Sequence, residues 1–233
     1  MIPVLGVPIL NRPDLLLAML NSTGGADIEQ IVIVDNGDVV PDISNANVRV
    51  IRPGHNLGVS ASWNLILKAT PRAPWWMFSN FDLEFAAGDL DRLTEHMESA
   101  GGVALLGTFA VFGIDAPSLA QAGYFDENFA PAYYEDNDYD YRCQLTGVPI
   151  VGLPAGLRHA ISSTLSSSTL YTRQNTATFA ANGDYYLRKW GGLPRAETFT
   201  TPFNAGGHPR AWTLDSERLA TQAWDREPVV EES

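Results

Sequence analysis

The chain of 233 residues contains a single cysteine, Cys143. One thiol cannot build a disulfide framework or a cysteine-based zinc site, and it fits a reducing compartment. Basic residues are scarce. Fifteen Lys and Arg stand against 27 Asp and Glu, for a formal net charge of −12. That balance excludes a uniformly basic surface, so no nucleic-acid partner is expected, and it disfavours adsorption to anionic lipid. Long apolar runs are missing too. All fall short of the roughly 18–20 residues needed to span a bilayer, so no transmembrane segment is expected. The opening stretch, MIPVLGVPILNRPDLL, has no positive leader and no small-residue cleavage site, and Pro3, Pro8 and Pro13 interrupt it. A cytoplasmic protein is the expectation. No internal repeat, GxGxxG motif or GKS/GKT loop occurs, which excludes a dinucleotide fingerprint and a Walker A loop.

What is present is an ordinary globular composition, 45% hydrophobic and 18% charged. Its patterning predicts an α/β fold with a mostly parallel sheet flanked by helices. Short apolar runs at 2–10, 30–35, 47–52, 75–79 and 102–112 read as strands. The run QIVIVD is β-branched and continuous, as in a strand buried on both faces. Residues 14–21, 59–69, 89–100 and 174–190 read as helices. The SSTLSSST stretch at 162–169 reads as a polar loop, and about 225–233 as an acidic tail. With no strong linker, the chain reads as one domain.

In open α/β sheets, ligands bind beyond the carboxyl ends of the strands. That rule places Asn11-Arg12, Asp35-Asn36, His55-Asn56 and Asn80-Asp82 on one rim. Asp35 can accept hydrogen bonds from a ligand's N–H or hydroxyl groups; the plain alternative is an Asp that caps its own turn. Asn56 and Gly58 stand directly before a helix, whose N-terminal amides suit a diphosphate. Asn64 lies further into that helix. Six acids fall between 126 and 140, interleaved with Phe125, Phe129, Tyr133 and Tyr134. Aromatics in an acidic run argue for partial burial, and burial beside other carboxylates raises a pKa. Asp138 and Arg142 stand four apart and can pair on a helix.

Six stretches carry a family resemblance: VPILNRPDLL (7–16), IVIVDNGD (31–38), HNLGVSASWN (55–64), FSNFDLEF (78–85), GYFDENFAPAYYEDNDYDYR (123–142) and KWGG (189–192). In order and spacing they resemble glycosyltransferase family 2, with its Rossmann-like GT-A fold. The likeness is closest to the rhamnosyltransferase-like branch of bacterial and phage type. It implies an inverting sugar transfer from a nucleotide-diphosphate-sugar donor to a hydroxyl acceptor, assisted by Mn²⁺ or Mg²⁺. A UDP-sugar is the commonest donor in the family; dTDP-rhamnose and GDP-sugars stay open. The acceptor could be a glycan, a lipid-linked sugar, a small molecule or a protein.

The resemblance divides the single domain, 1–233, into a nucleotide-sugar-binding half (about 1–112) and an acceptor and catalytic half (about 113–215). It assigns Pro8, Asn11, Arg12, Asp35 and Asn36 to the nucleoside, and Asn56, Gly58, Asn64 and Asn80 to the rest of the donor. Asp82 matches the last acid of the family's metal-binding Asp-x-Asp motif, while Asn80 departs from its first. His159 matches a histidine that completes the metal site. The Glu-Asp pair gives Asp136 as the base, with Glu135 as second choice or as a donor-sugar ligand. KWGG is expected to cap a packing helix, without chemistry. Two other readings share these features: a catalytically inactive sugar-nucleotide or glycan-binding protein, and a sugar-1-phosphate nucleotidyltransferase. PILNRPD is unlike the Gly-rich, Arg-containing loop of the second.

Overall fold

The computed structural model describes residues 1–43, 45–159 and 169–209, the side chains of residues 159 and 169–175 excepted. The polar stretch 162–168 and the expected acidic tail lie outside the described residues. A seven-stranded sheet forms the centre, in the order β3-β2-β1-β4-β7-β6-β8. Its strands are β1 (Ile2–Ile9), β2 (Ile28–Asp35), β3 (Val48–Ile51), β4 (Trp75–Ser79), β6 (Val103–Leu106), β7 (Thr108–Asp115) and β8 (Ile150–Leu153). Four of the six neighbouring pairs are parallel; only β4·β7 and β6·β7 run antiparallel. A two-stranded ribbon joins β5 (Leu83–Glu84) to β9 (Arg158–His159).

Six helices are described: α1 (Pro13–Ser22), α2 (Val59–Ala69), α3 (Asp89–Ser99), α4 (Ala116–Ala122), α5 (Glu135–Thr146) and α6 (Thr169–Trp190). The strands show why two layers of helix are needed. Trp75 and Met77 of β4 pack on one side with Leu16 and Met19 of α1 and Leu93 and Met97 of α3. Trp76 and Phe78 point the other way, to Trp63 and Ile66 of α2 and Tyr139 and Cys143 of α5. Successive side chains leave a strand on opposite faces, so an apolar pair on each face demands cover on both. Burial pushes the Cys143 thiol up to about 12, which leaves it an inert packing group.

The run expected as one strand over 102–112 is instead a tight hairpin. Gly107, at φ +79°, separates β6 from β7, and β7 turns back to lie beside β4. The apolar periodicity continues through Gly107, so it carries no sign of the reversal. A third cluster, Phe129, Tyr186 and Trp190, lies under α6 and ties the C-terminal part of the chain to the 129–145 region.

Candidate active site

The parallel strands β1, β2, β3 and β4 all end on one edge of the sheet, where the sequence-selected residues gather. Pro8 pairs with Val34 near the end of β1. Asn11 is half-buried, two residues beyond β1. Arg12 adopts φ 57° before α1 and turns its guanidinium onto Asp14, with contacts of 2.9 and 2.7 Å. It is a surface ion pair, the alternative expected of an exposed Arg.

Asp35 is buried at the end of β2. Its carboxylate accepts from the backbone amides of Gly37, Val39 and Val40 at 3.3, 3.1 and 2.8 Å. It holds its own turn, as the plain alternative had it. Arg52, which the sequence did not single out, stands 3.7 Å from it and 3.2 Å from Asp38. Asn36 is also engaged within the protein. Its amide donates to Ser62 Oγ at 3.0 Å, and its Oδ1 accepts from the Leu57 amide at 2.9 Å.

The start of α2 differs from a simple anion cradle. Gly58 takes φ +81°, and a Cβ there would stand 2.6 Å from the Pro131 carbonyl oxygen. The same oxygen accepts from the Val59 amide at 2.7 Å. One first-turn donor of α2 thus serves the chain itself. Asn56 caps this approach, its Oδ1 accepting from the Gly58 amide at 2.9 Å. Asn64 is engaged within the protein. It is fully buried, donating to Phe125 O and Glu127 Oε1 at 2.8 Å each and accepting from the Phe125 amide at 2.9 Å. The helical period that set Asn64 near the rim could not tell the outward face from the face packed on 125–127.

Asn80 follows β4, half-buried, and Asp82 is buried two residues later. The ribbon then brings a distant residue to them. His159 of β9 is registered opposite Leu83 of β5, the residue next to Asp82. Antiparallel pairing thus brings the backbone of position 159 opposite the residue that follows Asp82, across 77 positions of sequence (159 less 82). Among the described residues, no cluster of three His, Cys, Asp or Glu side chains forms. A carboxylate and an imidazole suit a divalent ion that keeps most of its coordination for phosphate oxygens and water. Glu84, in the same ribbon, pairs with Arg158 at 3.3 Å.

The acid pair sits on a tight turn. Tyr133 and Tyr134 adopt φ 79° and 71°, a left-handed conformation rare for bulky residues and costing of order 1–3 kcal/mol each. α5 begins immediately afterwards with Glu135 and Asp136. Asn182 of α6 clamps the turn, donating to Ala132 O at 2.8 Å and Tyr133 O at 3.2 Å. Gly183 leaves room for Tyr134; a Cβ there would meet its hydroxyl at 3.0 Å. Glu135 is buried and its Oε2 has no hydrogen-bond partner. Burial, reinforced by the neighbouring Asp136 charge, lifts its pKa to about 8, against backbone hydrogen bonds that pull it down. Burial also raises Asp136, less the effect of the Asn137 amide on its Oδ1 at 2.8 Å.

Behind the pair lies a set of residues that sequence reasoning had only begun to see. Asp138 and Arg142 pair at 2.9 Å, as their spacing suggested. Lys189 joins them, 2.6 Å from Asp138 and 2.7 Å from Asp126, and all four side chains are fully buried. Trp190 Nε1 donates to Asp138 at 2.8 Å and Tyr185 to Asp126 at 2.9 Å. Burial alone would raise Asp138, but Lys189 and Arg142 outweigh it and hold the carboxyl below its usual range. The KWGG segment therefore does more than cap a helix. The available signal was a Lys beside a Trp in a chain with many acids and few bases.

A family model described as Glycosyl transferase family 2 matches residues 5–161, well over half of the chain. The protein belongs to that family, and its architecture is the GT-A fold. Solved structures share the fold. TarS 1–349 of S. aureus is 17% identical with a TM-score of 0.52, over 66% of this chain and 58% of that one. The same protein in complex with UDP-GlcNAc gives 16% and 0.52, over 66% and 56%. GalNAc-T7 with UDP, GalNAc and Mn²⁺ gives 9% and 0.60, over 68% and 44%. The shared region thus spans about half the length of those chains. No curated protein sequence matches this chain. Among the described residues, no helix is long and apolar enough to cross a membrane.

Proposed function

We propose that the protein moves a sugar from a nucleotide-diphosphate donor, most simply a UDP-sugar, to a hydroxyl acceptor with inversion at the anomeric carbon. The observation that carries the reading is the Tyr133–Asp136 turn in a family-2 chain: two carboxyl groups at a helix start, one buried with an unpartnered oxygen. Acid–base roles divide where two neighbouring groups have different environments. Glu135, with a pKa of about 8, is mostly neutral at pH 7 and can donate a hydrogen bond to a sugar hydroxyl. Asp136, the less deeply buried of the two, takes the proton. The acceptor hydroxyl loses its proton to Asp136 as its oxygen attacks C1. The bond from C1 to the diphosphate oxygen breaks on the opposite face, and the nucleoside diphosphate departs.

Asp82 and His159 would hold the divalent ion, Mn²⁺ or Mg²⁺. When bound, it supplies Lewis-acid stabilisation of the charge on the departing diphosphate. Pro8, Asn11, Asp35 and Asn80 border the donor side, in the half of about 1–112, and Glu135 and Asp136 stand in the acceptor and catalytic half of about 113–215. UDP-GlcNAc in TarS, and UDP with Mn²⁺ in GalNAc-T7, support a UDP donor and metal use. Calorimetric titration with UDP, GDP and dTDP, each with Mn²⁺ and then with EDTA, tests the reading. One nucleotide should bind and lose its affinity in EDTA. Folded protein that binds none of the three would overturn it.

A further inference from the structure

The face of α6 that meets the acid-bearing turn is not used by the donor side or the metal pair. It lies beyond the segment matched by the family, and its residues follow helical spacing. Asn182 and Gly183 stand three and four positions after Phe179, so all three share a face. Asn182 fixes the turn's carbonyls and Gly183 admits Tyr134. Phe179 stands at the end of this row, 47% exposed. Its centroid lies 5.3 Å from the Tyr133 ring, edge to face, and 5.2 Å from the Tyr134 ring. The two tyrosines are half-buried and held in left-handed backbone conformations. The three rings form an aromatic shelf, and two of them, Tyr133 and Tyr134, directly precede Glu135 and Asp136 in the chain.

We propose that the shelf formed by Phe179, Tyr133 and Tyr134 is the subsite that receives the pyranose ring of the acceptor. The inference rests on the transferase reading and narrows its hydroxyl acceptor to a sugar. A pyranose has one face of C–H groups and a rim of hydroxyls. The C–H hydrogens carry partial positive charge and suit the negative face of an aromatic ring. The hydroxyls need hydrogen-bonding groups beside that ring, and the carboxyl groups of Glu135 and Asp136 follow directly in the chain. An acyl chain would bury the rings but leave the carboxyl groups without partners, which costs binding energy. The shelf orients the sugar while the acid pair engages its hydroxyls. Because Phe179 comes from α6 and the carboxyl groups from α5, the subsite exists only when the two helices are docked.

Saturation-transfer NMR tests this on the full chain in the presence of UDP and Mn²⁺. The probes are methyl α- and β-pyranosides of glucose, galactose, N-acetylglucosamine and rhamnose. At least one should receive saturation in the wild type, strongest on its ring C–H protons. Phe179→Ala, a surface change that circular dichroism should report as folded, should reduce that signal at least about threefold, in line with the loss of one ring contact. Phe179→Trp should keep it. An unchanged signal in Phe179→Ala would overturn the proposal. So would the absence of any signal from a wild type that binds nucleotide in calorimetry. A wild type that binds no nucleotide strikes the transferase reading itself, so the two failures are told apart.

Discussion

Glu135 and Asp136 are neighbours in sequence with different surroundings, and their substitutions should differ accordingly. Asp136→Asn removes the proposed base and should lower transfer by about 10²–10⁴-fold while nucleotide affinity persists. Glu135→Gln keeps a hydrogen-bond donor in place and should cost less. Near-normal turnover in Asp136→Asn, measured as nucleotide release with acceptor present, would move the base elsewhere. Glu135 also makes a stability prediction. Its folded pKa, about 8, lies above its ordinary 4.5, so the folded state holds the proton more tightly than the unfolded state. The resulting stability is complete below about pH 4.5 and is lost as pH rises towards 8, by about 1.4 kcal/mol per unit of difference. Melting curves of Glu135→Gln should therefore lose this decline and exceed wild type at pH 8.5. Parallel curves would mean the carboxyl is not buried as described. The acid pair was legible through the family resemblance, and the interleaved aromatics added only that some of these acids are buried. The proposed division of labour was not, because the deeper burial of Glu135 than of Asp136 depends on how the folded turn presents them.

Individual elements were read well where apolar periodicity was strong, as in β2, β4 and α2. They were read poorly where a single glycine reverses the chain, as at Gly107. The inward faces of helices were the other blind spot. Asn64 and Lys189 are polar residues turned into packing, and a polar residue carries no periodic mark of which way it points. Lys189 gives the sharper test at this scale. It stands between Asp126 and Asp138; without it Asp138 keeps Arg142, while Asp126 loses its cation. Removing one partner of such a set costs roughly 3–5 kcal/mol. Arg12, whose pair with Asp14 is exposed and screened by water, should cost little. Lys189→Met should therefore lower the melting temperature far more than Arg12→Ala, and Asp126→Asn combined with Lys189→Met should recover part of the loss. Equal effects of the two single changes would show that the buried set does not hold α6 in place.

At the scale of the whole molecule, the family match ends at residue 161, yet the folding unit does not. Phe129 packs with Tyr186 and Trp190, and Asp126 and Asp138 meet their shared cation only when α6 is docked. A chain ending at residue 168 keeps the whole matched segment, yet it should lack cooperative thermal unfolding. A single sharp transition by circular dichroism in that shortened chain, at the temperature of the full one, would show that α6 is an accessory. The fold class was readable at this level because alternating strands and helices leave few arrangements. The dependence on α6 was not, since it runs through contacts some 60 residues apart in sequence, such as the 63 positions from Asp126 to Lys189.

That buried set has a consequence for anyone who would re-engineer the protein. Its four charges sum to zero, so it is electrically silent from outside, yet its members sit on three separate segments of chain. A chimaera that imports a foreign C-terminal helix to change what the protein accepts would bring a new residue at position 189 to carboxylates chosen for a lysine. Such a graft stands or falls on whether positions 126 and 138 travel with it.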